Sequence, residues 1–91
     1  MDNVEFASSR HQHLLQSFHA TMPGIKGVVF SDPEGTPVAH DVAADARPIS
    51  AAALAQREAA GGLGASTMVR HDDSLYLVVF LSQQQALAWA P

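Results

Sequence analysis

Residues 26–41 run Lys26-Gly27-Val28-Val29-Phe30-Ser31-Asp32-Pro33-Glu34-Gly35-Thr36-Pro37-Val38-Ala39-His40-Asp41, and their reading decides the fold. Lys26 to Ser31 is a short run of β-branched and aromatic side chains, the composition of a strand. Asp32-Pro33-Glu34-Gly35 then supplies a turn: Asp favours the first position, Pro fixes φ at the second, and Gly suits the last. Thr36 to Asp41 is the return strand. Pro37 has no N–H to give to a ladder, so it belongs at a strand start or on a sheet edge. The stretch predicts a β-hairpin.

Downstream, Ala43 to Pro48 is a linker into a second helix over about residues 49–61. Asp45 or Ser50 is placed to cap it, and Pro48 is tolerated in its first turn. Its interior is Ala51, Ala52, Ala53, Leu54, Ala55, Ala59 and Ala60, and Gly61-Gly62 stops it. A second hairpin follows. Ser66 to Arg70 pairs with Leu75 to Leu81 across the turn residues His71-Asp72-Asp73-Ser74. The longer strand is apolar on both faces, as a central strand covered on both sides must be. Gln83-Gln84-Gln85 reads as a polar break before the apolar tail Ala86 to Pro91.

Upstream, Ala7, His11, Leu14, Leu15, Phe18 and Met22 form a one-sided stripe at helical spacing, so the first twenty residues predict a helix. Pro23-Gly24 ends it. The order is therefore helix, strand, strand, helix, strand, strand, tail, in a single domain covering residues 1–91. This is a mixed α/β chain of the α+β kind. The expected sheet is antiparallel, with roughly four to five strands and helices on its faces.

Composition limits what such a chain can do. Apolar residues make up 47% of the 91, but 16 of them are Ala, which leaves a thin core. A thin core favours a partner or a second copy. Five Lys and Arg stand against nine Asp and Glu, for a net charge of −4. The basic residues Arg10, Lys26, Arg47, Arg57 and Arg70 are scattered, so neither a nucleic-acid stripe nor a polybasic membrane patch is expected. There is no Cys, which excludes disulfides, thiolate catalysis and Cys-ligated zinc. The acidic start Met1-Asp2-Asn3-Val4-Glu5 is unlike a signal peptide, and the apolar run Leu75 to Leu81 is too short to span a bilayer. A cytoplasmic setting is expected.

The chemistry-bearing groups do not converge. His11 and His13 are two apart and point about 200° away from each other on a helix. His11 and His19 share a face but lie two turns apart, and His40 and His71 sit on different hairpins, so no metal site is expected. Asp72-Asp73 beside His71 reads as a solvated turn, because neighbouring residues point to opposite sides. Ser8, Ser9 and Ser66 lack a positioned base. Gly61-Gly62-Leu63-Gly64 ends a helix instead of opening one and lacks the Lys-Ser/Thr of a phosphate loop. No catalytic constellation and no cofactor are expected.

The second helix carries the functional expectation. Its face Ile49, Ala52, Ala53, Gln56, Ala59, Ala60 and Leu63 is built mostly of small side chains, which let another backbone come close. Self-association is expected through Ala52, Ala53, Gln56, Ala59, Ala60 and Leu63. Trp89 is expected either as a plug tucked against the domain or as an exposed interface anchor.

A helix followed by Pro23-Gly24-Ile25-Lys26-Gly27-Val28-Val29-Phe30, then Asp32, Gly35, Pro37, Val38 and Ala39, resembles the roadblock (dynein light chain type) domain. Thr67-Met68-Val69 and Leu75 to Leu81 look like the later strands of that family, so the resemblance covers about residues 5–82. The family usually has five antiparallel strands and a final helix, and this chain is shorter. Either the strand after the second helix is missing, or the last strand is reduced to the stub Ala86 to Trp89 and the final helix is lost. The resemblance implies a non-enzymatic homodimer or heterodimer serving as a scaffold or binding module, with a small Ras-like GTPase as the partner class. The alternative from a different class is a small ligand-sensing domain of the PAS or profilin-like type, with a site between helix and sheet.

Overall fold

Two hairpins meet through a parallel pair of strands. The computed structural model describes residues 16–42, 45–62 and 65–89. Residues 16–21 are helical (α1), and β1 (Gly27–Ser31) and β2 (Pro37–His40) form the first hairpin. After α2 (Arg47–Ala59) come β3 (Ser66–His71), β4 (Ser74–Phe80) and α3 (Gln83–Trp89). The four strands lie in the order β2-β1-β4-β3, with both hairpins antiparallel and the central β1–β4 pair parallel. Lys26 N–H donates to Leu75 O at 2.7 Å and Leu81 N–H to Ser31 O at 2.7 Å, extending the parallel contact at both ends.

The α+β class and the hairpins agree with the sequence, whereas the expected all-antiparallel sheet gives way to a mixed one. A hairpin fixes the direction of its own two strands and says nothing about which strand docks on another hairpin. Here the two most apolar strands take the centre, since both of their faces can then be buried. They happen to run the same way. Pro37 opens the edge strand β2, where a missing N–H is tolerated.

Alternation along these strands feeds two cores. Val29, Val69, Tyr76, Val78 and Phe80 pack under α2 with Ala46, Ile49 and Ala53. Val28, Phe30 and Leu77 face the opposite side with Ile25, Leu81 and Ala86, and Phe18, Met22 and Trp89 pack against them. Each fully buried Val is worth roughly 1.5–3 kcal/mol relative to an exposed one. His19 Nε2 lies 2.7 Å from Asp41 Oδ2, and Asp41 Oδ1 accepts the Val28 N–H at 2.8 Å, so one carboxylate ties α1 to the start of the sheet.

The tail departs from expectation. Gln83 to Trp89 is a helix, with Ala86 buried and the Trp89 ring centroid 4.8 Å from that of Phe30. Its first turn is closed reciprocally: Gln85 N–H donates to Ser82 Oγ, and Ser82 N–H donates to Gln85 Oε1. That is a capping box, so the glutamine run opens a helix and is not a break. Trp89 is the tucked plug. Among the described residues, then, the chain keeps a final helix and has no strand between α2 and β3.

Asp32-Pro33-Glu34-Gly35 forms the expected turn. Asp32 Oδ1 accepts from Glu34 N–H and Thr36 N–H at 2.9 Å each, and Gly35 takes φ of +86°. The turn docks beneath α2, where Ser50 Oγ donates to Gly35 O at 2.7 Å. A Cβ on Gly35 would stand 3.0 Å from Leu54 Cδ2, whereas one on Gly24 would meet nothing within 4 Å. Gly35→Ala is expected to cost about 1–3 kcal/mol through its left-handed backbone, read as a lower urea midpoint at unchanged slope. Gly24→Ala should stay within roughly 0.5 kcal/mol of the parent. Equal midpoints for the two variants would contradict this account of the turn.

Candidate functional site

α2 begins two residues before the predicted start, and its N-cap is Ala46, which makes no side-chain cap bond, so neither Asp45 nor Ser50 is the expected cap. Pro48 sits in the first turn, while Asp45 Oδ1 accepts the Arg47 N–H at 3.0 Å. Ser50 is not a cap; it is buried and bonded to Gly35. At the far end Gly61 and Gly62 take φ of +94° and +75°. Gly62 N–H donates to Arg57 O at 2.8 Å and Gly61 N–H to Glu58 O at 3.1 Å, the paired closure of a Schellman motif.

The helix is rotated so that Ala46, Ile49, Ser50 and Ala53 face the sheet. This splits the predicted small-residue face. Ala53 is wholly buried in the chain's own core and Ala52 packs at its edge, so Ala53 is corrected from interface to core. The physical reason is spacing: Ile49 and Ala53 lie one turn apart on the line above Val29 and Val69, and a small side chain there lets α2 settle close to the sheet. Gln56, Ala59 and Ala60 are exposed, joined by Ala51 and Ala55, and Leu63 lies outside the described residues.

α2 lies chiefly over β3, and β3 is an edge among the described residues. Asp72 and Asp73, with φ of 50° and 63°, form a two-residue loop of the I′ type, so the flanking His71–Ser74 pair is hydrogen-bonded. Alternation then turns the backbone groups of Ser66, Met68 and Arg70 away from β4, and the Phe80 N–H bond to Ala65 O at 2.8 Å fits that register. The side chains of these three residues are exposed, with Met68 at 39%. An open strand edge thus adjoins the outer alanines of α2.

A groove of about 440 Å³ lies at the C-terminal end of α2, lined by Pro33, Arg57, Gly62, Ala65, Phe80, Leu81 and Ser82. Arg57 is half-buried, with its guanidinium carbon 4.7 Å from the Phe80 ring centroid and its Nε buried without a hydrogen-bond acceptor among the described residues. In the sequence Arg57 stands only as one of the scattered basic residues. The signal was nonetheless present, because Ile49, Ala53 and Arg57 follow one another at i+4 and Arg57 therefore lies on the sheet-facing line.

The remaining candidates separate. His19 pairs with Asp41, His40 Nδ1 accepts the Val42 N–H at 3.2 Å, and His71 stands edge-on to the Tyr76 ring. His11, His13, Ser8 and Ser9 lie outside the described residues. Among the described residues no three His, Asp or Glu side chains gather as metal ligands, and no helix is long and apolar enough to cross a membrane. Comparison with protein-family models, characterised proteins and solved structures finds no match to the chain.

One pH response follows from the start of α2. The Asp45 carboxyl is held at about 2, below its ordinary 3.8, chiefly by the Arg47 side-chain bond and then by the Arg47 N–H. Because the folded value is depressed, the pair's contribution is present above pH 3.8 and is lost as pH falls through about 2. A carbon-13 titration should place the native Asp45 midpoint near 2 and move it toward 3.8 in Arg47→Gln. A native midpoint already near 3.8 would contradict the pairing.

Proposed function

We propose that the chain is a non-enzymatic binding module that works as a homodimer, with the outer face of α2 and the free edge of β3 as its self-association surface. One observation carries the reading: Ala51, Ala55, Gln56, Ala59 and Ala60 are exposed beside a strand edge whose backbone groups at Met68 and Arg70 lack a neighbour among the described residues. Exposed edges are normally blunted or paired, and a second copy placed antiparallel would pair this one. The thin core adds a reason to associate. The resemblance to the roadblock family supports the same assembly and extends it to docking a small Ras-like GTPase in a cytoplasmic setting.

Sedimentation at micromolar concentration should give a dimer. Ala59→Arg places a bulky cation on the exposed face at the end of α2, where the helix dipole tolerates it. Overpacking a close interface costs about 1–3 kcal/mol, so this variant should sediment as a monomer with unchanged far-UV circular dichroism. Ala53→Glu buries an unpaired charge in the core and should unfold the chain instead. A dimeric Ala59→Arg, or a monomeric parent, would remove the proposal. The partner class is tested by gel filtration of the dimer with Ras-like GTPases from the same source, loaded with GDP or GTP: co-elution supports it, and separate elution of all of them removes it.

A further inference from the structure

We propose that the groove at the C-terminal end of α2 binds a small carboxylate with an apolar body, held by Arg57. The argument starts from where Arg57 sits. It occupies the sheet-facing line of α2 after Ile49 and Ala53, a place where an apolar side chain would complete the core. A cation drawn partly out of water is ordinarily matched by a carboxylate or by carbonyl oxygens. Arg57 has neither among the described residues; its Nε–H is closed off without an acceptor, so the terminal NH2 groups of the guanidinium are the donors that a ligand in the groove would meet. The Phe80 ring beneath the guanidinium holds the fork by a cation–π contact but accepts none of its N–H bonds.

The lining selects the ligand's chemistry. Pro33, Ala65, Phe80 and Leu81 are apolar, and among the described residues Arg57 is the single charged one in the wall. One guanidinium matches one carboxylate, with two parallel N–H···O bonds. A phosphate dianion would need further positive donors, and it would meet a chain of net charge −4. Ser82 Oγ accepts the Gln85 N–H at 3.1 Å, which leaves its own O–H to donate to an incoming oxygen. The groove, about 440 Å³ and broadly open to solvent, would seat the carboxylate and one face of its apolar body. This site is separate from the outer face of α2 and does not rest on dimer formation.

The probe is 3-phenylpropanoate, titrated into the isotope-labelled full chain, with 3-phenylpropanamide and inorganic phosphate in parallel. The acid should produce saturable amide shifts at Gly62, Ala65, Phe80 and Ser82, and the neutral amide should bind at least about tenfold more weakly because it cannot satisfy the charged fork. Arg57→Gln should weaken the acid by about tenfold or more, and Arg57→Lys by less, since it keeps the charge but loses the fork. Acid and amide binding equally, phosphate binding as tightly as the acid, no saturable shift at these residues, or full affinity in a folded Arg57→Gln would each overturn the proposal. If Arg57→Gln fails to fold, the acid-against-amide comparison on the parent chain decides alone.

Discussion

The parallel pairing of β1 with β4 is the constraint on which the rest of the structure depends. Val28 and Val29 of β1 and Val78 of β4 have no exposed surface, so the centre of the sheet is closed on both faces. A strand buried on both faces demands a cover on each side. α2 supplies one, and α1 with α3 supplies the other. Pairing β1 with β4 puts β2 and β3 on opposite edges, and the parallel direction makes their connection run from one end of the sheet to the other, a crossing that α2 makes over the sheet.

Two unusual surfaces follow from this placement. α2 sits toward the β3 side, so its outer alanines end beside an open strand edge rather than over the sheet's middle. Its sheet-facing line reaches the end of β4 at Arg57, where the core runs out and Phe80 and Leu81 form the wall of a groove. The first surface suits another polypeptide, because what it offers is backbone groups and small side chains. The second suits a small anion, because what it offers is one fork of donors over an aromatic ring.

Much of this was legible in the sequence. Turn chemistry is local, so Asp32-Pro33-Glu34-Gly35 and Gly61-Gly62 declared themselves, and continuous apolarity marked Leu75 to Leu81 as central. What was not legible depends on docking. Strand direction at the centre requires knowing which edges of two hairpins meet. The inward turn of Ala53 requires the helix's rotation, which an alanine-rich sequence with apolar side chains all round does not specify. Arg57 was missed because a charge is normally read as solvent-facing, and α3 because three glutamines resemble a break until Ser82 and Gln85 are seen to cap each other.

The central claim is that the β3 edge belongs to an interface between two copies, and hydrogen exchange at two protein concentrations tests it most directly. Thr67 and Val69 donate into β4 and should be protected at any concentration, while Met68 and Arg70 point their N–H groups outward. The account predicts that Met68 and Arg70 are protected in concentrated solution and lose that protection on dilution, with Thr67 and Val69 unchanged. Free exchange of Met68 and Arg70 at every concentration would contradict it.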